Sequence, residues 1–434
     1  MSSRTALVVT TVALAVALAV AVALLIPWRP LPLHGVSPSP VDAARDFSAA
    51  QIAREDAFHA AVRPPAYVSM LVAFLIAAVL GFTPLGARLV SAVAAPLGGG
   101  WVWRVVLGTV ALTLVGRLLT LPWDAWSESA RRRYGLSTRG WGSWGVDVAK
   151  AYGVGLVLTV GILLLIVGLA RWQPDYWWVF GAAIGALLVV VVSFAYPLVV
   201  EPVFNKFTSM PEGELRTSLL ELAEQDGVQV DDVLIADASK RTTTLNAYVS
   251  GIGSSRRIVV YDTLLDKAPD AEVESVVAHE LGHVADSDVV VGTALGALGA
   301  MTVVVALYLL STWSGLMQWL GISGIGDGRS VAFLLAFVAL VGFVSTPLQS
   351  AASREVEARA DVHALDLTGD PATFLAMQRR LAVTAKADVT PNAVVYRVFG
   401  SHPKTTARLA AARAWAEEHG VSLSGPVVPV EEGE

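Results

Sequence analysis

Val276-Val277-Ala278-His279-Glu280-Leu281-Gly282-His283-Val284-Ala285-Asp286-Ser287-Asp288-Val289-Val290-Val291 is the stretch on which the reading of this chain turns. Its first half sets His279, Glu280 and His283 into an otherwise apolar helix that includes Val273, Leu281 and Val284. Its second half opens an apolar run over 289–311. A helix needs roughly 20 such residues to cross about 30 Å of hydrocarbon. Uncompensated polar groups beside a membrane are costly, so three of them on one helix need partners or a ligand.

Working outward, six more runs qualify as spans: 5–27, 66–86, 101–121, 151–171, 177–199 and 330–350. The first lies behind Arg4 in the manner of a signal peptide. Its apolar run is long for one, and no small-residue cleavage site precedes Pro27-Trp28-Arg29, so it is read as a retained span. Composition agrees. Of 434 residues, 54% are hydrophobic and 16% charged, against about 25% charged in an ordinary soluble domain, and the mean hydropathy is +0.59. The net charge of -6 and the lack of a basic run exclude a nucleic-acid partner. With no cysteine, disulfides and thiolate metal sites are excluded, so any metal must be held by His and carboxylate.

Positive charge sets the orientation. The 28–65 connection carries Arg29, Arg45, Arg54 and Arg63, and 122–150 carries Arg131, Arg132, Arg133, Arg139 and Lys150. The alternate connections hold little beyond Arg88, Arg171 and Arg329. Seven spans then place the N-terminus outside, and both the 200–288 segment and the 351–434 tail on the cytoplasmic side. The expectation is a multi-pass protein of the cell membrane with its site facing the cytoplasm.

The polar parts read as a small α+β unit. Leu215, Leu219, Leu220 and Leu222 have helical spacing over 212–226. Strand-like runs follow at 233–236, 245–249 and 257–261, the last two joined by a Gly251-to-Ser255 turn. A helix starting near Ala271 carries the histidine pair, and the tail should hold helices over 371–386 and 404–418. The expected organisation is 1–199, a membrane region with five spans; 200–288, a catalytic insertion; 289–350, spans six and seven; 351–418, C-terminal helices; and 419–434, a disordered tail.

His279-Glu280-Leu281-Gly282-His283 is an HExxH sequence. Residues four apart share a helix face, so both imidazoles can reach one metal ion, with Glu280 close enough to act on a water beside it. Zinc brings such a water to a pKa of about 7. A third ligand must come from the same membrane side. Spans six and seven form a hairpin, which returns Ser353-Arg354-Glu355-Val356-Glu357-Ala358-Arg359-Ala360-Asp361-Val362-His363 beside the histidines. Glu357 and Asp361 share a face, one as a ligand and the other as an orienting acid, while Glu355 and His363 are rivals on spacing. His402, in Ser401-His402-Pro403, is a candidate oxyanion donor, though a His-Pro before a helix also serves as a capping turn. Asn246-Ala247-Tyr248 lies in a strand whose edge could hold substrate backbone, or is an ordinary strand with a surface Asn.

These residues resemble the integral-membrane zinc endopeptidases that include the CAAX prenyl proteases. The resemblance extends through Leu121-Pro122, Tyr134-Gly135-Leu136, Pro202-Val203-Phe204-Asn205-Lys206-Phe207, Ser239-Lys240-Arg241, Asn246-Ala247-Tyr248 and Arg257-Ile258-Val259-Val260-Tyr261-Asp262. It implies a mainly α, polytopic protein with about seven transmembrane helices around a chamber and a small zincin-type catalytic domain. It implies one Zn2+ per chain on His279, His283 and Glu357, with Glu280, His402 and Asp361 catalytic and Asn246 and Ala247 at the substrate. The implied partners are the lipid bilayer and a peptide or protein substrate, membrane-associated or lipid-modified, cut near its C-terminus. The Ala-, Val- and Arg-rich composition is that of a GC-rich bacterial genome, where prenylated proteins are not expected. The alternatives are therefore a quality-control protease of the HtpX-like kind, or a non-catalytic transporter or scaffold.

Overall fold

Among the described residues, seven helices are long and apolar enough to cross a membrane. The computed structural model describes residues 3–28, 41–251 and 253–423. In chain order come α1 (Ser3–Leu25), α2 (Ala49–Gly81), the shorter α3 (Pro84–Ala94), α4 (Trp101–Arg133), α5 (Trp141–Trp172) and α6 (Trp177–Val199). After the single turn α7 (Glu201–Phe204), the polar segment builds β1 (Phe207–Ser209), α8 (Glu214–Gln225), β2 (Asp232–Ala236), β3 (Ala247–Ser250) and β4 (Arg257–Tyr261). Then follow α9 (Asp262–Lys267), α10 (Asp270–Ala285), α11 (Asp288–Ser311), α12 (Ser314–Leu320), α13 (Val331–Thr368), α14 (Pro371–Ala385), α15 (Ala393–Phe399) and α16 (Thr405–Glu418).

The second span is displaced from the expected 66–86. Thr83 accepts from the Leu85 N–H and Pro84 takes the first helical position, so a new helix starts there and α2 stops at Gly81. At its other end α2 begins at Ala49 with a Ser48/Gln51 capping box. Its polar first half reaches past the lipid, where His59 Nε2 lies 2.8 Å from the Lys386 carbonyl and Arg63 pairs with Asp388. The seventh span is one 38-residue helix with the stretch that follows it, about 57 Å long at 1.5 Å per residue. Pro347 does not interrupt it. Glu357 is thus carried rigidly out of the membrane by α13.

Arg117 pairs with Asp124 at 2.6 Å because α4 continues beyond the expected span end at 121 to Arg133. Both side chains keep about a third of their exposure (28% and 34%). Arg117 lines a cavity of about 490 Å³ together with Arg139, Asp147, Tyr152 and Arg241, the setting in which a charge on a membrane helix avoids lipid.

The sheet order is β1-β2-β4-β3, with β2 and β4 parallel and the outer pairs antiparallel. Strand β1 had no signal beyond its three residues. Two main cores sit at opposite ends of the molecule. One joins sheet, α8, α10, α13, α14 and α16 through Leu219, Ile258, Val277, Leu281, Leu365, Phe374 and Trp415. The other packs the far ends of the membrane helices through Val90, Val105, Val167, Trp177, Leu320 and Phe337. Of the tail expected to be disordered, 424–434 lies outside the described residues.

Candidate metal centre

Helix α10 is buried along most of its length, including Val273, Val277, Ala278, His279 and Leu281. It packs against α13, and Gly282 allows the approach: a Cβ there would meet the His363 side chain at 3.0–3.1 Å. That contact sets Glu357 opposite the histidine pair. Glu357 Oε2 lies 3.3 Å from His279 Nε2, and Oε1 lies 3.8 Å from His283 Nε2. One donor atom from each residue falls within 4.8 Å of the other two. The imidazoles stand edge to face, 4.9 Å between centroids.

Each outer nitrogen faces a carboxylate. His279 Nδ1 is 3.0 Å from Asp361 Oδ1, and His283 Nδ1 hydrogen-bonds Asp288 Oδ2 at 2.8 Å. Each acid is in turn held by an arginine. Arg408 grips Asp361 through two nitrogens, one at 2.7 Å, and Arg359 pairs with Asp288 and, at 2.7 Å, with Asp286. Both Nε2 atoms are left facing Glu357.

The electrostatics suit a cation. Burial pulls His279 down, but Asp361 and Glu357 outweigh it and push its pKa up to about 9. A pocket that stabilises positive charge on a buried imidazole has an unmet demand for a cation. Two imidazoles and one carboxylate, each imidazole backed by an acid, are a donor set suited to zinc. Burial raises the Glu280 carboxyl above its usual range.

A cavity of about 290 Å³ opens over these groups, lined by Leu245 to Tyr248, Val276, Glu280, Met377, Gln378, His402 and Arg408. His402 is half-exposed at its rim, Nε2 3.3 Å from Glu357 Oε2 and Nδ1 2.9 Å from Ser401 Oγ. Asn246 and Ala247 lie at the edge strand β3. The Tyr261 N–H donates to the Asn246 carbonyl at 3.0 Å, so alternation along the strand turns the Ala247 backbone away from β4, where the residue is buried in the cavity wall.

All eight residues singled out from sequence therefore surround one cavity or back its walls. The two rivals do not. His363 turns to Asp226 at 2.9 Å, and Glu355, two positions from Glu357, lies on another face of α13. Asp288, Arg359, Arg408 and Gln378 were not anticipated. Asp288 had a weak signal, an acid five residues after His283 at a membrane helix's first position. The others act through tertiary contacts that leave no local pattern. The Nε2 of Gln378 is buried and has no hydrogen-bond partner.

Comparison with known proteins gives two family matches. Peptidase family M48 matches residues 209–416, and the CAAX prenyl protease N-terminal region, described as five membrane helices, matches 39–206. An uncharacterized metalloprotease of Bacillus subtilis, YhfN, is 30% identical over 301 residues, covering 69% of this chain and 70% of that one. CAAX prenyl protease 1 of Saccharomyces cerevisiae is 29% identical over 175 residues, 40% of this chain and 38% of the yeast protein. The crystal structure of S. mikatae Ste24p superposes with a TM-score of 0.75 at 20% identity, covering 94% of this chain and 98% of that one. At that identity it shows the fold alone.

Proposed function

Because the chain belongs to peptidase family M48, as a multi-pass membrane metalloprotease of the CAAX prenyl protease kind, we propose that it hydrolyses peptide bonds at one zinc ion held by His279, His283 and Glu357. The observation that carries this reading is the pair of backed imidazoles, whose free Nε2 atoms converge on one carboxylate. The family assignment removes the transporter or scaffold alternative.

Zinc, when bound, supplies Lewis acidity toward the scissile carbonyl and the attacking water. The rest falls to the chain's own side chains. The edge of β3 that faces the cavity takes the substrate as an added strand, with the buried Ala247 backbone uncovered as the strand docks and the exposed Asn246 lying beside it. Glu280 accepts the water's proton on its carboxylate and returns it to the departing amine nitrogen; a carboxyl raised by burial is better matched to both roles near neutral pH. His402, in the tautomer whose Nδ1 accepts from the Ser401 hydroxyl, donates from Nε2 to the carbonyl oxygen as it gains charge. Asp361 and Asp288 hold the two histidines in register.

The basic connections lie at the same end as the site, so it faces the cytoplasm across the cell membrane. The substrate is a membrane-associated protein cleaved near its C-terminus: the relatives' names point to a prenylated CAAX end, while the composition, which argues against prenylation, keeps the quality-control reading beside it. The test is cleavage of a farnesylated CAAX-type peptide and of the same peptide without lipid by the purified chain in bilayers. The expected result is cleavage by wild type and a loss of 10³-fold or more in Glu280→Gln. Full turnover in Glu280→Gln would sink the mechanism. Equal turnover of the unlipidated peptide would replace the prenyl substrate with the quality-control reading.

A further inference from the structure

At the end of the bundle away from the histidines, the first turns of α4 and α6, the last turns of α5 and α11, and the 323–329 loop enclose a cavity of about 650 Å³. Its charged lining is Arg104, Arg171, Asp327 and Arg329. Asp327 is already committed. It accepts from the Arg329 guanidinium at 2.5–3.0 Å and from the Ser323 and Arg329 N–H groups. Arg104 comes no nearer to it than 4.0 Å. The Arg104 Nε is buried with no hydrogen-bond partner, a state that is costly unless a ligand or water completes it. Arg171 donates to the Gly326 carbonyl at 3.1 Å, and its guanidinium lies 5.4 Å from the Trp101 ring centre. No carboxylate pairs with it among the described residues. The cavity thus holds two guanidinium groups in excess of its acid.

The floor is built rather than incidental. A Cβ at Gly328 would fall 2.8 Å from the Trp101 carbonyl oxygen, so the loop is seated tightly on α4 and holds the arginines at a fixed spacing. At the same end of the helices, Trp103, Trp172, Tyr176, Trp313 and Trp319 are exposed. Exposed Trp and Tyr at helix ends mark the headgroup level of a bilayer.

We propose that this cavity binds a phosphate-bearing anion through Arg104 and Arg171, supplied by the headgroup of an anionic phospholipid. Guanidinium forks match phosphate oxygens two at a time, and a basic pocket between membrane helices at headgroup depth is open to lipid from the side. The site is separate from the peptidase centre and does not rest on the assignment of metal ligands.

The test uses the full chain in a neutral detergent. Phosphatidylglycerol, phosphatidylcholine and inorganic phosphate are titrated separately, with retention read by native mass spectrometry. Arg104→Gln/Arg171→Gln is compared with wild type and with Arg104→Lys/Arg171→Lys. Peptidase turnover, whose residues lie at the opposite end, reports that each variant is folded. Expected is phosphatidylglycerol retained at least tenfold more strongly than phosphatidylcholine. That preference should vanish in the Gln pair, persist in part in the Lys pair, and survive excess inorganic phosphate. Full competition by inorganic phosphate keeps the anion site but overturns the lipid as its source. Equal phosphatidylglycerol retention by wild type and the Gln pair overturns the site. If the Gln pair loses turnover, the Lys pair decides: loss of all preference with charge retained and turnover intact would also overturn it.

Discussion

Asp288 and His402 are the residues at which the proposed chemistry can be separated from mere architecture. The Asp288 carboxylate touches no donor atom of the candidate site, yet it holds His283 by Nδ1. Asp288→Asn is expected to weaken zinc binding about 10–100-fold, the usual effect of removing such a partner, with helix content unchanged. Competition with a chromogenic chelator measures this, and an unaltered affinity would show that His283 needs no such support. His402 is half-exposed, and among the described residues it pairs with Ser401 and Glu357. His402→Phe should lower kcat about 10²–10³-fold with little change in KM, as for the loss of one oxyanion donor. A matched fall in zinc content would instead make it part of the metal site. At this scale, spacing alone singled out the HExxH trio and put Glu357 and Asp361 on one helix face, while Glu355 and His363 stayed rivals until the resemblance assigned the ligand to Glu357. Arg408 and Arg359 were not, because an arginine that pairs with a carboxylate 47 or 71 positions away has no periodicity to betray it.

Two elements set the site's dimensions, α10 and α13, and their spacing rests on Gly282. With a Cβ already at 3.0 Å from His363, Gly282→Val must push α13, and Glu357 with it, away from the histidines. The expected cost is about 1–3 kcal/mol of stability, in the range for overpacking, together with a large drop in zinc affinity. Gly282→Val with wild-type melting and wild-type affinity would show that the helices have slack. The corner between α10 and α11 carries a second constraint. Ser287 sits in the left-handed region, φ 58° and ψ 34°, and this turn brings Asp288 back onto His283. Ser287→Gly should be neutral or slightly stabilising. Ser287→Val should cost about 1–2 kcal/mol, the penalty of a side chain in that conformation. Thermal unfolding in detergent reports both. The continuity of α13 was hidden in sequence, since its apolar and polar halves read as a span and a separate returning stretch. A helix does not need to end where lipid does.

Across the whole molecule, hydropathy placed all seven long apolar helices, and most of the sheet followed from β-like runs and one turn. What stayed out of reach were helix ends beyond the lipid, the three-residue β1, and the docking of α2 onto the α14–α15 connection through His59 and Arg63. Each depends on partners distant in sequence. The two cores, one at each end of the helices, leave the Arg117–Asp124 pair between them, beside the cavity that Arg117 lines with Tyr152 and Arg241. The peptidase centre stands or falls with the three residues that close it. The most direct measurement is zinc content per chain, by inductively coupled plasma mass spectrometry, in purified wild type, Glu280→Gln and Glu357→Ala. About one zinc in the first two and almost none in the third is the result that follows from His279, His283 and Glu357 holding the ion with Glu280 standing beside it. Full zinc in Glu357→Ala, or its loss in Glu280→Gln alone, would contradict it.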